Sequence, residues 1–182
     1  MLQRLAVMPS MFGVDSPLSV GVQLAAVATA APASGAPGFT NQTIYVPLTV
    51  TETITIVKGW WVNGATSNGN VDIGLYPEAG GTKIVSLGST AQGTINVLQE
   101  GNIADTVVPP GRYLMAFGWS SATATFFSYS ATYTTNRQWK ALGIAKEAAF
   151  ALPASATPAV WDSATTGTLL PVFGFSQRTL VA

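Results

Sequence analysis

Alternation of apolar and polar residues is densest in the middle of the chain. Thr53-Ile54-Thr55-Ile56 has the period of two that a half-buried strand requires. Lys58 then falls on the parity of the two isoleucines, so either the strand leaves the core there or Gly59 makes a bulge that resets the phase. Val71, Ile73 and Leu75 form the next inward set, with Asn70, Asp72, Gly74 and Tyr76 on the opposite face. Thr82 to Leu87 reads as a further strand. In Arg112 to Trp119, Tyr113, Met115, Phe117 and Trp119 line one face while Leu114 and Ala116 line the other. Both faces are apolar, which predicts a central strand covered on each side. Ala122 to Tyr129 is expected to complete a hairpin with it.

Turn chemistry separates these segments. Asn63 to Asn70 contains two Asn-Gly pairs, which tolerate the positive φ of tight connections. Pro77-Glu78-Ala79-Gly80-Gly81 predicts another turn, and Pro109-Pro110-Gly111 has the residue order of a type II turn. Short strands at about ten-residue spacing predict an all-β fold, an antiparallel sandwich of jelly-roll or immunoglobulin-like type. Outside this block, Arg137 to Ala149 is helix-compatible, with Trp139 and Leu142 three apart, although Gly143 weakens the pattern. Leu169 to Phe175 reads as a last strand that Pro171 would confine to an edge. Three regions follow: an N-terminal arm and linker over 1–40, a sandwich core over 41–135, and a C-terminal extension over 136–182 with a short helix and a final strand.

Composition narrows the chemistry. The chain has no histidine and no cysteine, which removes thiol nucleophiles, disulfides, Cys/His zinc sites and serine–histidine triads together. Only 9% of its residues are charged, against about 25% in ordinary soluble domains, and eight acids balance eight bases. No global field therefore attracts nucleic acid or anionic lipid. So few charges, with a positive mean hydropathy, predict apolar surface that neighbouring copies or other proteins cover. The run Leu18 to Pro32 superficially resembles a signal peptide. Ser19, Gln23, Thr29 and Pro32 dilute it, and it is shorter than the ~20 residues of a membrane helix. Residues 1–40 are therefore expected to be retained, packed on their own domain or on a neighbour.

Candidate chemistry is sparse. Asp72 and Glu78 are a possible carboxylate pair for glycoside hydrolysis, but a turn and a strand's polar face explain them more simply. Asn68, Asn70 and Asp72 have the alternate spacing of a calcium loop without its sixth-position glycine or closing glutamate. Asn41-Gln42-Thr43 fits the glycosylation sequon. No phosphate loop and no nucleophile elbow is present, and Arg137 with Lys140 is the only small basic cluster. Catalytic, metal and cofactor residues are expected to be absent. Trp60 and Trp61 are adjacent on a strand and must point to opposite faces, so at most one enters a given core. The other needs a neighbouring element, a partner subunit or a sugar, and with Tyr76 it is the candidate partner or glycan contact.

The runs Gly59-Trp60-Trp61-Val62-Asn63-Gly64, Gly69 to Tyr76 and Gly88-Ser89-Thr90-Ala91-Gln92-Gly93 resemble small virion proteins of tailed bacteriophages. So do Pro109 to Ala116, Ala124-Thr125-Phe126-Phe127 and Pro171-Val172-Phe173-Gly174-Phe175, the likeness covering residues 43–130 and, faintly, the C-terminus. The resemblance implies a β-sandwich protein of the phage head, tail or fibre, with no catalytic residues to carry over. The implied role is a capsid decoration, or cement, protein on the particle exterior, made in the host cytoplasm. Its implied partners are sister copies in a homo-oligomer, such as a trimer, and the major capsid or other virion proteins. Nucleic acid and membrane are not expected partners. A tail or fibre protein and a carbohydrate-binding module are the alternatives.

Overall fold

The computed structural model describes residues 32–130, 139–160 and 169–180, together with the backbone of Ser19–Gly21. The remainder of the expected N-terminal arm and residues 137–138 of the expected helix lie outside the described residues. The first strands are β1 (Ser19–Gly21), β2 (Ala33–Gly35), β3 (Gln42–Val50), β4 (Ile54–Val62) and β5 (Asn70–Pro77). Next come β6 (Gly81–Thr82), β7 (Val85–Ser86), β8 (Thr90–Ala91), β9 (Leu98–Val108), β10 (Gly111–Trp119) and β11 (Phe126–Ser130). The chain closes with β12 (Ala145–Glu147), β13 (Ser155–Ala156), β14 (Ala159–Val160), β15 (Leu169–Pro171) and β16 (Phe173–Ser176).

The fold is an all-β sandwich of antiparallel sheets, as the alternation predicts. One layer is a seven-stranded sheet in the order β14-β12-β3-β10-β5-β7, with β8 paired to β5. The other is a four-stranded sheet, β1-β16-β4-β9, continued by a three-stranded sheet, β15-β11-β2. The C-terminal extension is woven into both layers, since β12 joins the large sheet and β16 lies between β1 and β4.

β10 is the central strand its two apolar faces require, flanked by β3 and β5 over nearly its whole length. Its inner face meets the opposite layer across an aromatic core. Phe117 packs edge-on against Phe126 at 5.1 Å and, with its ring tilted by 42°, against Phe173 at 5.0 Å. Phe126 therefore reaches β10 across the core and not along a hairpin, because β11 pairs with β2 and β15 in the opposite layer. The tight loop at 120–125 carries the chain over the edge of the sandwich.

The phase of β4 is reset. Between the pairs Ile56–Thr106 and Lys58–Asn102, one residue of β4 stands against three of β9. Ile54 and Ile56 face the core before this irregularity; Gly59, close to Ile73, and Trp61 face it afterwards. The unequal count lies at Val57 and not at Gly59, so Lys58 is turned outward, where it bonds Asn102 and faces Glu100 at 4.0 Å.

Four further expectations change. The helix reduces to one turn at 139–141, ended by Gly143 at φ 80°, and Ala145–Glu147 is strand. Thr82 to Leu87 splits into β6 and β7, which serve different sheets. The final segment also splits. β15 lies at a sheet edge, where Pro171 is tolerated, and the chain changes sheet at Val172, whose N–H binds Phe127 O and whose carbonyl accepts from Val62. Gly111 is not left-handed, so Pro109-Pro110-Gly111 is not a type II turn but the link between the two layers.

Truncating Phe117 to Ala removes a fully buried ring that touches Trp119, Phe126 and Phe173, and should cost about 3–5 kcal/mol. Val107, 63% exposed, should tolerate Ala within about 0.5 kcal/mol. Urea midpoints of the two variants measured side by side test both, and equal midpoints would refute this placement of the core.

Candidate functional site

The aromatic candidates are all buried. Trp61 is 0% exposed in the sandwich core, and its indole N–H donates to Asn63 Oδ1 at 2.7 Å. Asn63 in turn donates to Thr94 O and Gln99 Oε1, fixing the loop before β9. Trp60 faces the other side of the four-stranded sheet, yet it is only 9% exposed, and its buried indole N–H has no hydrogen-bond partner among the described residues. Tyr76 is 0% exposed. The expectation that an outward tryptophan and Tyr76 form a glycan platform is therefore corrected. The three rings are not brought together on an accessible surface, because each sheet face that carries them is covered.

What covers Tyr76 is a strap, residues 148–158, laid across the outer face of the large sheet. That face presents Tyr45, Tyr76, Leu114 and Ala116, and Leu152 and Ala156 of the strap close a second small core over them. Tyr45 and Tyr76 meet edge-on at 5.6 Å. Polar groups at the margins fix the strap in place. Tyr76 Oη donates to Pro153 O at 2.6 Å, Tyr45 Oη to Glu147 Oε2 at 2.7 Å, and Thr43 Oγ1 to Ala149 O at 2.8 Å. Thr157 donates to Glu147 through both its N–H and its hydroxyl, and Lys83 Nζ donates to Leu152 O. β13 pairs with β6 beyond the end of the sheet.

Asp72 lies under the strap, 1% exposed. Its two oxygens accept from Gly88 N at 2.9 Å and Leu152 N at 3.1 Å, joining the β7–β8 turn to the strap through one carboxylate. Burial raises its pKa, opposed by the Leu152 hydrogen bond, the Lys83 charge and the Gly88 hydrogen bond. Burial also pushes the Tyr45 and Tyr76 hydroxyls far up, helped for Tyr45 by its bond to Glu147 and for Tyr76 by the Asp72 charge. Both hydroxyls therefore remain donors across the neutral range.

The remaining candidates do not converge. Glu78 forms an exposed ion pair with Arg112, whereas Asp72 is enclosed, so the two carboxylates share no cleft. Asn68 and Asn70 donate to Thr123 and Ser89, away from Asp72. Thr43 of the sequon is buried and bonded to Ala149. The Asn-Gly pairs serve different ends. Gly69 has φ 77°, but at Gly64 the need is space, since a Cβ there would strike the Ser34 and Thr125 hydroxyls. Among the described residues no group of three or more His, Cys, Asp or Glu could hold a metal, and no helix is long and apolar enough to cross a membrane. An open hollow of about 360 Å³ lies beside the start of β9, lined by Gly93, Thr94, Val97, Leu98, Gln99 and Glu100. The Gln99 amide is already committed to Gly93 N, Asn63 and Ala91 O, so the hollow offers a ligand few free polar groups.

Sequence reasoning missed the strap and its anchors Thr43, Tyr45 and Glu147. The signal available was the second apolar face of β10, which demands a cover. No family model matches this chain, and no curated protein or solved structure matches it.

Asp72→Asn should cost about 1–3 kcal/mol, because an amide cannot accept from both backbone N–H groups. Tyr45→Phe, which leaves Glu147 two of its three donors, should cost about 1 kcal/mol. Urea midpoints read both values. The raised pKa of Asp72 means that the native state holds the proton more tightly than the unfolded chain. Its titration thus adds stability below the ordinary carboxyl pKa of about 3.9, and that increment is lost as pH rises through the raised value. Midpoints measured across this window should fall less steeply for Asp72→Asn than for the native chain.

Proposed function

We propose that this protein is a structural component of a tailed-phage virion, a decoration protein that stabilises the capsid shell from outside. The observation that carries this reading is apolar surface at the sandwich edges. Val107 on the edge strand β9 is 63% exposed and Val160 on the edge strand β14 is 73% exposed, on a chain with only 9% charged residues. Ile95 and Val97, at the opposite end of β9, are exposed as well. Proteins that work as free monomers usually blunt such edges with charge. Neighbours in an assembly would cover them instead, and a shell supplies neighbours on several sides.

The buried polar groups fit a load-carrying part. The carboxylate of Asp72 and the hydroxyls of Tyr45 and Tyr76 are spent on holding the strap to the sheet. Rigidity of this kind suits a cement protein, whose task is to hold neighbours in place. The sequence resemblance to phage virion proteins points the same way.

Antibodies raised against the purified chain, imaged by immunogold electron microscopy on particles of the encoding phage, test the proposal. Gold over the head is the expected outcome. Gold over the tail or its fibres would overturn the decoration role and keep the virion role, and unlabelled particles would overturn both.

A further inference from the structure

We propose that Asn68 is a site of spontaneous modification, an amide that water converts to aspartate or iso-aspartate while the chain stays folded. The proposal goes beyond the virion role and does not depend on it.

The reaction begins at the backbone. The peptide nitrogen of the residue after an asparagine, having given its proton to a solvent hydroxide, attacks the side-chain carbonyl carbon. A C–N bond forms, the Cγ–Nδ2 bond breaks, and the amide leaves as ammonia, closing a cyclic imide. Water then opens either C–N bond of the ring, giving aspartate or a backbone rerouted through the side chain. No oxidant or cofactor takes part. A following glycine leaves the attacking nitrogen least hindered, because it has no Cβ. The chain has two such pairs, Asn63-Gly64 and Asn68-Gly69.

The fold treats them oppositely. Asn63 is 0% exposed. Its Oδ1 accepts from the Trp61 indole, and its Nδ2 donates to Thr94 O and Gln99 Oε1. The nitrogen that would attack it, Gly64 N, donates to Thr125 O at 2.9 Å. Asn68 is exposed, in the loop between β4 and β5. Its side chain makes one hydrogen bond among the described residues, a solvent-exposed one from Nδ2 to Thr123 Oγ1 at 2.7 Å. The Gly69 N–H has no acceptor among the described residues, so the attacking nitrogen is uncommitted. Gly69 is also required by the fold. Its φ is 77°, and a Cβ there would strike the Ser120 hydroxyl and Ser121. The turn therefore keeps the reactive pair.

Conversion changes both charge and connection. Eight acids balance eight bases, so one new carboxylate takes the net charge from 0 to −1. Asn68 loses its donor to Thr123, and a rerouted backbone lengthens the chain beside Gly69, whose carbonyl accepts from Gln92 N.

Purified full-length chain is incubated at mildly alkaline pH, native and in concentrated guanidinium chloride, then digested and read by fragment mass spectrometry. Unfolded, the two asparagines should convert at similar rates. In the native chain four hydrogen bonds must open before Asn63 reacts, each worth about fivefold, so its rate should fall by a factor of about a hundred or more. Asn68 should stay within about tenfold of its unfolded rate, because its exposed hydrogen bond opens at little cost. Anion exchange of the native sample should show a growing acidic form that Asn68→Gln, whose longer side chain closes a less favoured ring, lacks. Native Asn68 converting no faster than native Asn63, or an acidic form undiminished in Asn68→Gln, would overturn the proposal.

Discussion

The strand Gly111–Trp119 is apolar on both faces, and each face has to be kept from water. The two solutions differ. Toward the inside, Met115, Phe117 and Trp119 are met by a second sheet, whose Phe126, Phe173 and Phe175 fill the space with rings. Toward the outside no sheet is available, and a single irregular segment lies over Tyr45, Tyr76, Leu114 and Ala116. A strap that narrow buries little apolar area, so hydrophobic burial alone would hold it weakly. Its carbonyls and amides are instead tied by Tyr76, Thr43, Lys83 and Asp72, each of which would be costly to bury without a partner. The polar residues of the outer face are there because the cover is thin.

The opposite layer solves a related problem at Val57. A strict alternation along β4 would have driven Lys58 into the core after Ile54 and Ile56. The unequal residue count between β4 and β9 turns Lys58 out to Asn102 and Glu100 and brings Gly59 and Trp61 in. Gly59 lies next to Ile73 with little room to spare, so the reset brings the two layers close at that point. The same change decides which of two adjacent tryptophans belongs to the core.

Local patterns were legible where one strand's own residues determine its environment. The two-faced character of β10, the inward set Val71, Ile73 and Leu75, and the edge position forced by Pro171 all follow from residues a few places apart. Pairings set by distant partners were not legible. Ala122 to Tyr129 is near β10 in sequence, but β11 takes its hydrogen bonds from residues 33–35 and 169–171, and nothing local announces that. The segment 148–158 carries no alternation because it packs as a strap, and the Ala-rich run leading into it reads as helix until Gly143 is known to end the turn. The glycan platform failed for the same reason: Tyr76 is polar-faced along its strand, and only the strap, about 77 residues away in sequence, shows that this face is closed.

The covers also explain how the surface can hold so few charges. Apolar faces of both sheets are largely shielded within the chain, and the two most exposed large apolar side chains among the described residues, Val107 and Val160, lie on edge strands. Edges are where sheets recruit further strands. In this chain one edge already accepts a strand from far away in sequence, with Ser19–Gly21 set beside Phe173–Ser176.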